Sequence, residues 1–264
     1  NRGHENEGVY LESAMKSLSD AKNISIKNPT FDKNSQGNLP ASPEKMVAMV
    51  HFGRSGTGLM HSLIDAHPEI STLPSIYFSE YFSHVTWEKI ISGGWSNMVD
   101  QFMKIYEVLF DASSSIPVES KSKVLLYNIG INEGMANVGD QRNEILKVDK
   151  DQFRSELKGL IEYYHEMDAF VFFKLINAAY CRAIKDFNQK SLLFYHIHNP
   201  DTYAQLNFTR LAEEANWVMM VREPIQSCES WIRSAFLEKD YSGVARRIIT
   251  ILHETDNIIY TKKK

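Results

Sequence analysis

The sequence predicts an α/β fold with a central parallel sheet between two layers of helices. Three runs with the character of buried strands lie at 46–52, 191–198 and 216–221, and each precedes a segment with the 3.6-residue period of an amphipathic helix. Strands that alternate with helix-length segments are typical of a parallel sheet, because parallel strands need a long crossover connection. A chain of 264 residues with 43% apolar residues suffices for such a core.

Helical periodicity predicts most of the remaining elements. Helices are expected at 57–66, 95–110, 133–145, 152–165, 177–188, 203–214, 224–238 and 241–260. Residues 1–45 are polar and turn-rich, which indicates an arm or linker with a short helix near 9–21, whereas the aromatic-rich segment 71–87 has no clean period. The chain therefore divides into an arm at 1–45 and an α/β domain at 46–264, with an all-helical insertion at about 95–165.

Composition excludes several classes of partner. A net charge of −4 gives no general attraction to nucleic acid or to an anionic membrane, so an anion site must be a local concentration of donors and cations. The two cysteines, Cys181 and Cys228, fall in predicted helices and are expected to be buried thiols. No apolar run approaches the roughly 20 residues that cross a bilayer. We expect a soluble, cytoplasmic protein without a membrane span.

The first predicted strand runs into the sequence GRSGTG at 53–58, and an amphipathic helix begins at once. A glycine turn that opens a helix directs free backbone N–H groups at the loop and favours a bound anion. A strand, a glycine loop and a helix in this order predict a P-loop-like three-layer fold.

This loop lacks the chemical residues of a Walker A motif. In that motif a Lys and a Ser or Thr follow the second glycine, whereas Leu59 and Met60 follow Gly58 here. The cation lies inside the loop instead, as Arg54, next to Ser55. A site that binds a phosphate or sulfuryl group through amides, hydroxyls and one guanidinium fits these residues better than an NTPase site.

A second motif, VREPIQSCESWIRSAF, follows the last predicted strand. The strand ends at Arg222, Pro224 occupies a favourable first helical position, and Ser230 lies two turns along the helix. The apolar period predicts an inward-facing stripe of Ile225, Cys228, Trp231 or Ile232, and Phe236.

Together, GRSGTGLMHSLIDAHPEI and VREPIQSCESWIRSAF resemble the two cofactor signatures of sulfotransferases that use 3′-phosphoadenosine 5′-phosphosulfate (PAPS). The first resembles the 5′-phosphosulfate loop in the Arg-Ser-Gly-Thr form of tyrosylprotein, other Golgi-type and bacterial enzymes. The second resembles the 3′-phosphate segment, in which an Arg and a Ser stand eight positions apart. The resemblance implies that PAPS is bound by Gly53, Arg54, Ser55, Gly56, Thr57, Gly58, Leu59, Arg222 and Ser230.

The same resemblance implies transfer of a sulfuryl group to a hydroxyl or amine. Arg54 would contact the phosphosulfate, and His198 stands where the tyrosylprotein branch has a lysine. Glu80 lies closest to the position of that branch's catalytic glutamate. The candidates for the base are, in order, Glu80, where partial burial would raise the pKa of the carboxyl, then His61 and His51.

No metal is required for this chemistry, and no cluster has convincing ligand spacing. His196 and His198 share a strand face but have no third ligand nearby in the sequence. Two alternatives stay open: a nucleotide kinase or NTPase, and a non-catalytic nucleotide-binding module.

The acceptor is expected to be a small-molecule, natural-product or carbohydrate hydroxyl. Aromatic residues in the aperiodic segment would suit a sugar, a phenol or a lipid-like molecule, and the helical insertion would cap their pocket. These residues are Tyr77, Phe78, Tyr81, Phe82 and Trp87.

Overall fold

Four parallel strands form the main sheet of the protein in a computed structural model, which describes residues 15, 24–31, 43–51, 55–65, 67–73, 80–114, 116–120, 123–127, 141–197, 202–234 and 241–262. The strands are β1 Ile26–Lys27, β2 Lys45–His51, β3 Ile70–Ser71, β4 Ile116–Ser120, β5 Lys123–Tyr127, β6 Glu166–Met167, β7 Leu192–Ile197 and β8 Asn216–Met220. The α-helices are α1 Thr57–Ile64, α2 His84–Ile91, α3 Met98–Ile105, α4 Lys150–Ile161, α5 Ala169–Ala183, α6 Thr202–Leu211, α7 Pro224–Ser234 and α8 Tyr241–Lys262.

The main sheet has the order β3-β7-β2-β8, so its first long strand lies inside the sheet. Val47 of β2 pairs with Phe194 of β7 on one side and with Asn216 of β8 on the other, in parallel register throughout. Burial on both faces explains why β2 and β7 are almost continuously apolar. The predicted strands at 46–52, 191–198 and 216–221 are confirmed within a residue or two, and β3 was missed.

Helices cover both faces of this sheet, which gives the three-layer α/β arrangement. On one face, Tyr195 of β7 packs against Phe173 of α5 and Phe208 of α6, each with ring centroids 5.1 Å apart. Since neighbouring strand residues point to opposite faces, His196 faces the other way and meets His61 of α1. The predicted central parallel sheet with flanking helices is confirmed.

The thick side of the core is built by α3, α4 and α5. Phe102, Phe153 and Phe172 are fully buried between these helices, and their rings pack at centroid distances of 5.8 to 6.1 Å. Asp168 begins α5 by accepting hydrogen bonds from the backbone N–H groups of Phe170 and Val171. Of the helix predicted at 177–188, residues 177–183 form the second half of α5, and residues 184–188 are not helical.

The insertion at 95–165 was predicted to be all-helical, and the structure shows that it is not. It contains α3, α4 and two short 3₁₀ turns, but β4 and β5 also form an antiparallel hairpin in which Val118 pairs with Leu125. Residues 141–145 are not helical, and the rest of the helix predicted at 133–145 lies outside the described residues. A helix was also missed at α2, within the segment that has no clean period.

The C-terminal helices α7 and α8 enclose a small separate cluster of Trp231, Val244 and Ile248, with Cys228, Ile232 and Leu252 packed against it. Ile225 is 69% exposed, so its predicted place in the inward stripe is wrong, and Phe236 lies outside the described residues. Cys181 is a buried free thiol, whereas the free thiol of Cys228 is half-buried.

Part of the N-terminal arm docks on the domain. β1 pairs antiparallel with β6, and the indole N–H of Trp87 donates to the carbonyl of Ile24 at 2.9 Å. Apart from Met15, the helix predicted near 9–21 lies outside the described residues. None of the helices in the described part of the chain is long and apolar enough to cross a membrane.

Candidate anion site at the carboxyl edge of the sheet

The carboxyl ends of β2, β7 and β8 meet at one edge of the sheet. His51, the last residue of β2, pairs with Met220 of β8, and Val50 pairs with Ile197 of β7. The segments that follow these strands therefore leave the sheet side by side. In open α/β sheets, ligands bind outside the carboxyl ends of the strands, so this edge is the candidate functional site.

The turn before α1 has a geometry that suits a ligand with hydrogen-bond acceptor atoms. Gly56 precedes the helix in the left-handed region, with φ of 89°, and no described side chain caps the helix. The first helical bond is donated by the N–H of Met60 to the carbonyl of Gly56, at 3.2 Å. The N–H groups of Thr57, Gly58 and Leu59 precede this bond and so have no intrahelical acceptor.

Ser55 adds a hydroxyl to the same turn. Its Oγ is buried and has no hydrogen-bond partner among the residues that the structure describes. A buried hydroxyl without a partner carries a desolvation cost of about 1–3 kcal/mol, which a bound acceptor would relieve. Gly53 and Arg54 of the same predicted loop lie outside the described residues.

Arg222 leaves the sheet on the neighbouring strand. Its guanidinium is exposed, and Nε donates to Gln226 Oε1 at 3.4 Å. Glu223 begins α7 by accepting the N–H of Gln226 at 2.7 Å, and Pro224 is the first helical residue, as predicted. Ser230 is half-buried two turns along α7.

Ser227 was missed in the sequence analysis. It is completely buried in the first turn of α7, and its Oγ has no partner within the described part of the chain. The available signal was its place between Arg222 and Ser230, one turn into a helix that follows a buried strand.

Glu80 is an exposed carboxylate in the turn before Tyr81, and not the partly buried group that was predicted. Its carbonyl accepts the N–H of Ser83 at 2.9 Å. Burial, with a smaller contribution from the charge of Glu80, raises the pKa of the Tyr106 hydroxyl. Glu80 therefore lies near the surface end of the aromatic core.

The aromatic pocket wall is a wrong prediction for its described members. Tyr81 and Phe82 are fully buried and Trp87 is 2% exposed, and all three belong to the main hydrophobic core. The hydroxyl of Tyr81 donates to the carbonyl of Ala169 at 2.9 Å. Tyr77 and Phe78 lie outside the described residues.

His61 faces β7. Its Nδ1 lies 3.2 Å from Nδ1 of His196, and its ring meets the edge of Phe194 at a centroid distance of 5.9 Å. Burial lowers the pKa of His61, and the nearby charge of Asp65 offsets part of this change. The structure thus brings together two histidines that the sequence analysis treated separately, whereas His198 and the side chain of His51 lie outside the described set.

A cavity of about 530 Å³ lies at the opposite, amino-terminal edge of the sheet. Two of its cations are already in ion pairs, Lys190 with Asp186 at 2.5 Å and Arg182 with Glu156 at 3.0 Å. Because these charges are compensated within the protein, this cavity is less suited to an anionic ligand than the carboxyl edge.

Comparisons of this chain with protein-family models, with curated proteins and with solved structures find no match. Among the residues that the structure describes, no group of three or more His, Cys, Asp or Glu side chains is arranged to hold a metal ion.

Proposed function

We propose that the chain is a sulfotransferase with a P-loop-like fold, which takes a sulfuryl group from PAPS and transfers it to a hydroxyl or amine. The acceptor would be a small molecule, a natural product or a carbohydrate. The observation that carries this proposal is the pairing of His51 with Met220, because β2 and β8, the strands that precede the two proposed anion motifs, end side by side. PAPS has anionic groups at both ends of its ribose, so it needs two such motifs.

The described residues at this edge fit the two anionic ends. The backbone amides after Gly56 would bind the 5′-phosphosulfate of PAPS, together with the Ser55 hydroxyl, which has no partner among the described residues. The other residues proposed to bind this group are Gly53, Arg54, Thr57, Gly58 and Leu59. The exposed guanidinium of Arg222 and the hydroxyl of Ser230 would bind the 3′-phosphate.

PAPS supplies an activated sulfuryl group when it is bound. The chain must position the acceptor, neutralise the charge that develops on the leaving phosphate oxygen and accept one proton. Arg54 would supply the positive charge, and His198 would contribute to the same neutralisation. Glu80 stays the first candidate for the base through its position in the resemblance, since the ring of His61 is turned toward β7. His51 stays a third candidate.

Two alternatives differ from this proposal in ways that can be measured. A kinase or NTPase would need the Walker Lys and hydroxyl, and Leu59 and Met60 occupy those positions. A non-catalytic module would bind the nucleotide without turnover. The exposed position of Glu80 keeps this second alternative open, since an exposed carboxylate is not by itself evidence of catalysis.

The test is calorimetric titration of the purified chain with 3′,5′-ADP, 5′-AMP and ATP with Mg²⁺. We expect 3′,5′-ADP to bind at least tenfold more tightly than 5′-AMP, because only the former offers a 3′-phosphate to Arg222, and a charged hydrogen bond contributes about 1.5–3 kcal/mol. If ATP with Mg²⁺ is the only one of the three ligands that binds, the result would favour the kinase or NTPase.

Release of 3′,5′-ADP from PAPS, measured with a panel of phenols, sugars and amines, then separates enzyme from binding module. Acceptor-dependent release supports a transferase. Binding of 3′,5′-ADP without release for any acceptor would favour the module, and no nucleotide binding by the folded chain would overturn the proposal.

A further inference from the structure

Helix α1, which carries the anion turn, is attached to the sheet by few side chains. Of its eight residues only Thr57 is buried, and Leu59 and Leu63 are 68% and 71% exposed on the side away from the sheet. An element with so few buried contacts opens locally at low cost in free energy. Any single contact that holds the middle of α1 against the sheet therefore weighs heavily in its local stability.

One contact at the middle of α1 is a pair of histidines. Nδ1 of His61 lies 3.2 Å from Nδ1 of His196, which is 2% exposed in β7, and the two ring centroids are 5.3 Å apart. A hydrogen bond between two Nδ1 atoms needs one that carries a proton and one that is bare. The pair satisfies this condition when both rings are neutral and also when they share one extra proton. Two imidazolium rings do not, because both Nδ1 atoms are then donors.

The described apolar neighbours of the pair disfavour added charge. Phe194 of β7 lies edge-on to His61, and Met49 of β2, the register partner of His196, is fully buried. Among the described residues, the charged group that acts on His61 is Asp65, at the end of the same helix, whose carboxylate also accepts from the Thr72 hydroxyl at 2.9 Å.

The charge of Asp65 also acts on the hydroxyl of Tyr180 in α5. This charge, together with burial, raises the pKa of Tyr180, which therefore stays neutral. At His61 burial outweighs Asp65, so the pKa of the packed imidazole lies below its ordinary value.

We propose that His61 and His196 form a pH-sensitive latch, which holds α1 and its anion turn against β7 at neutral pH and releases them when both imidazoles are protonated. The latch is a property of the chain without ligand and does not depend on the nucleotide proposed above. An imidazole freed from the packing takes up a proton near pH 6.5, whereas the packed His61 resists it. Detachment of α1 is therefore favoured as pH falls through this value, about tenfold at pH 5.5 relative to pH 7.5.

The test is hydrogen exchange of the α1 amides in the ligand-free chain at pH 7.5 and 5.5, with each rate divided by its intrinsic rate at that pH. We expect about a tenfold loss of protection for the hydrogen-bonded amides of residues 60–64 at the lower pH, while the amides of α4 keep their protection. Equal protection of α1 at the two pH values would overturn the latch.

The matched variant is His61→Phe, which keeps an aromatic ring beside Phe194 and cannot titrate. Its α1 amides should show the same protection at both pH values. A pH dependence as large as that of the original chain would contradict the proposal.

A second measurement needs no variant. NMR titration of the two imidazole Cε1 protons should show coupled steps, with uptake of the second proton displaced well below pH 6.5. Two independent titrations near pH 6.5 would overturn the proposal even if His61→Phe does not fold.

Discussion

His51 ends β2 opposite Met220, the last residue of β8, and the two strands are parallel. Only Val221 separates Met220 from Arg222, and Ser55 follows His51 by four positions. Two segments that are distant along the chain are therefore brought to the same sheet edge by backbone pairing alone. We expect a ligand that spans the ends of β2 and β8 to meet both the turn before α1 and the guanidinium of Arg222.

Gly56 and Gly58 provide a matched pair for testing the turn. At both positions an added Cβ would meet no atom within 4 Å, but only Gly56 has a positive φ, of 89°. We expect Gly56→Ala to lower the free energy of unfolding by about 1–2 kcal/mol, because a left-handed conformation is strained for a residue with a Cβ. Gly58→Ala lies within α1 and should be neutral or stabilising by up to about 1 kcal/mol. Urea denaturation measures both, and equal effects would show that the turn geometry is not as described.

Ser55→Ala should separate stability from binding. Removal of a buried hydroxyl that has no partner in the described structure should leave the unfolding free energy unchanged or raise it by about 1 kcal/mol. The same change should weaken binding of 3′,5′-ADP by about fivefold, since one hydrogen bond contributes about 1 kcal/mol.

The control for this change is Ser62→Ala in α1, the helix that follows Ser55. The hydroxyl of Ser62 already donates to the carbonyl of Leu59 at 2.8 Å and is not needed by a ligand. If Ser62→Ala weakens binding as much as Ser55→Ala does, the hydroxyl of Ser55 has no special part in the site.

Arg222→Ala should raise the Kd for 3′,5′-ADP by about ten- to a hundredfold, the range expected for a hydrogen bond to a charged group. Stability should change little, because the side chain is exposed. Arg233→Ala serves as the control, since that side chain is 81% exposed near the end of α7, the helix that follows Arg222, and makes a long ion pair of 3.8 Å with Glu229. Isothermal titration of both variants gives the comparison, and similar Kd values would remove Arg222 from the site.

Asp100 of α3 should make a small, pH-dependent contribution to stability. Its carboxylate accepts from Lys158 Nζ at 2.9 Å and from Arg154 Nε at 2.8 Å, and these contacts, first of all the bond from Lys158, lower its pKa. A carboxyl whose pKa is lower in the folded state contributes stability above its unfolded pKa of about 3.9 and loses it as pH falls further. Because the side chain is 43% exposed, we expect less than about 1 kcal/mol.

The measurement for Asp100 is the difference in unfolding free energy between the original chain and Asp100→Asn, followed by urea denaturation as pH is lowered. The difference should be constant from about pH 7 to pH 5 and should shrink below about pH 4. A difference that grows toward acid pH would contradict this assignment.

The long parallel strands could be predicted from sequence because a strand buried on both faces is a continuous apolar run, as at 192–197. The order of the strands could not, since it depends on pairing between residues as distant as Val47 and Phe194. The hairpin of β4 and β5 lay in a polar, broken segment and had no clear alternation. The helix α2 is only eight residues long and contains the β-branched Val85, Thr86, Ile90 and Ile91.

The two edge motifs could be located because glycines, a strand end and a following helix are local features. Contacts between elements are not local: nothing in the sequence indicates that His61 would meet His196, or that Tyr81 and Phe82 would pack into the core and not into a pocket. An aromatic segment without a period is compatible with either arrangement, and tertiary packing decides between them.

The interior position of β2 also limits when the protein can fold during its synthesis. β2 is the earliest strand of the main sheet in the chain, but both of its neighbours, β7 and β8, belong to the last third. A ribosome must deliver residues up to about 220 before the sheet can close, so β2 stays without its native partners while the insertion is being made. Such long-range pairing slows folding, and it exposes the apolar residues of β2 to chaperones during elongation.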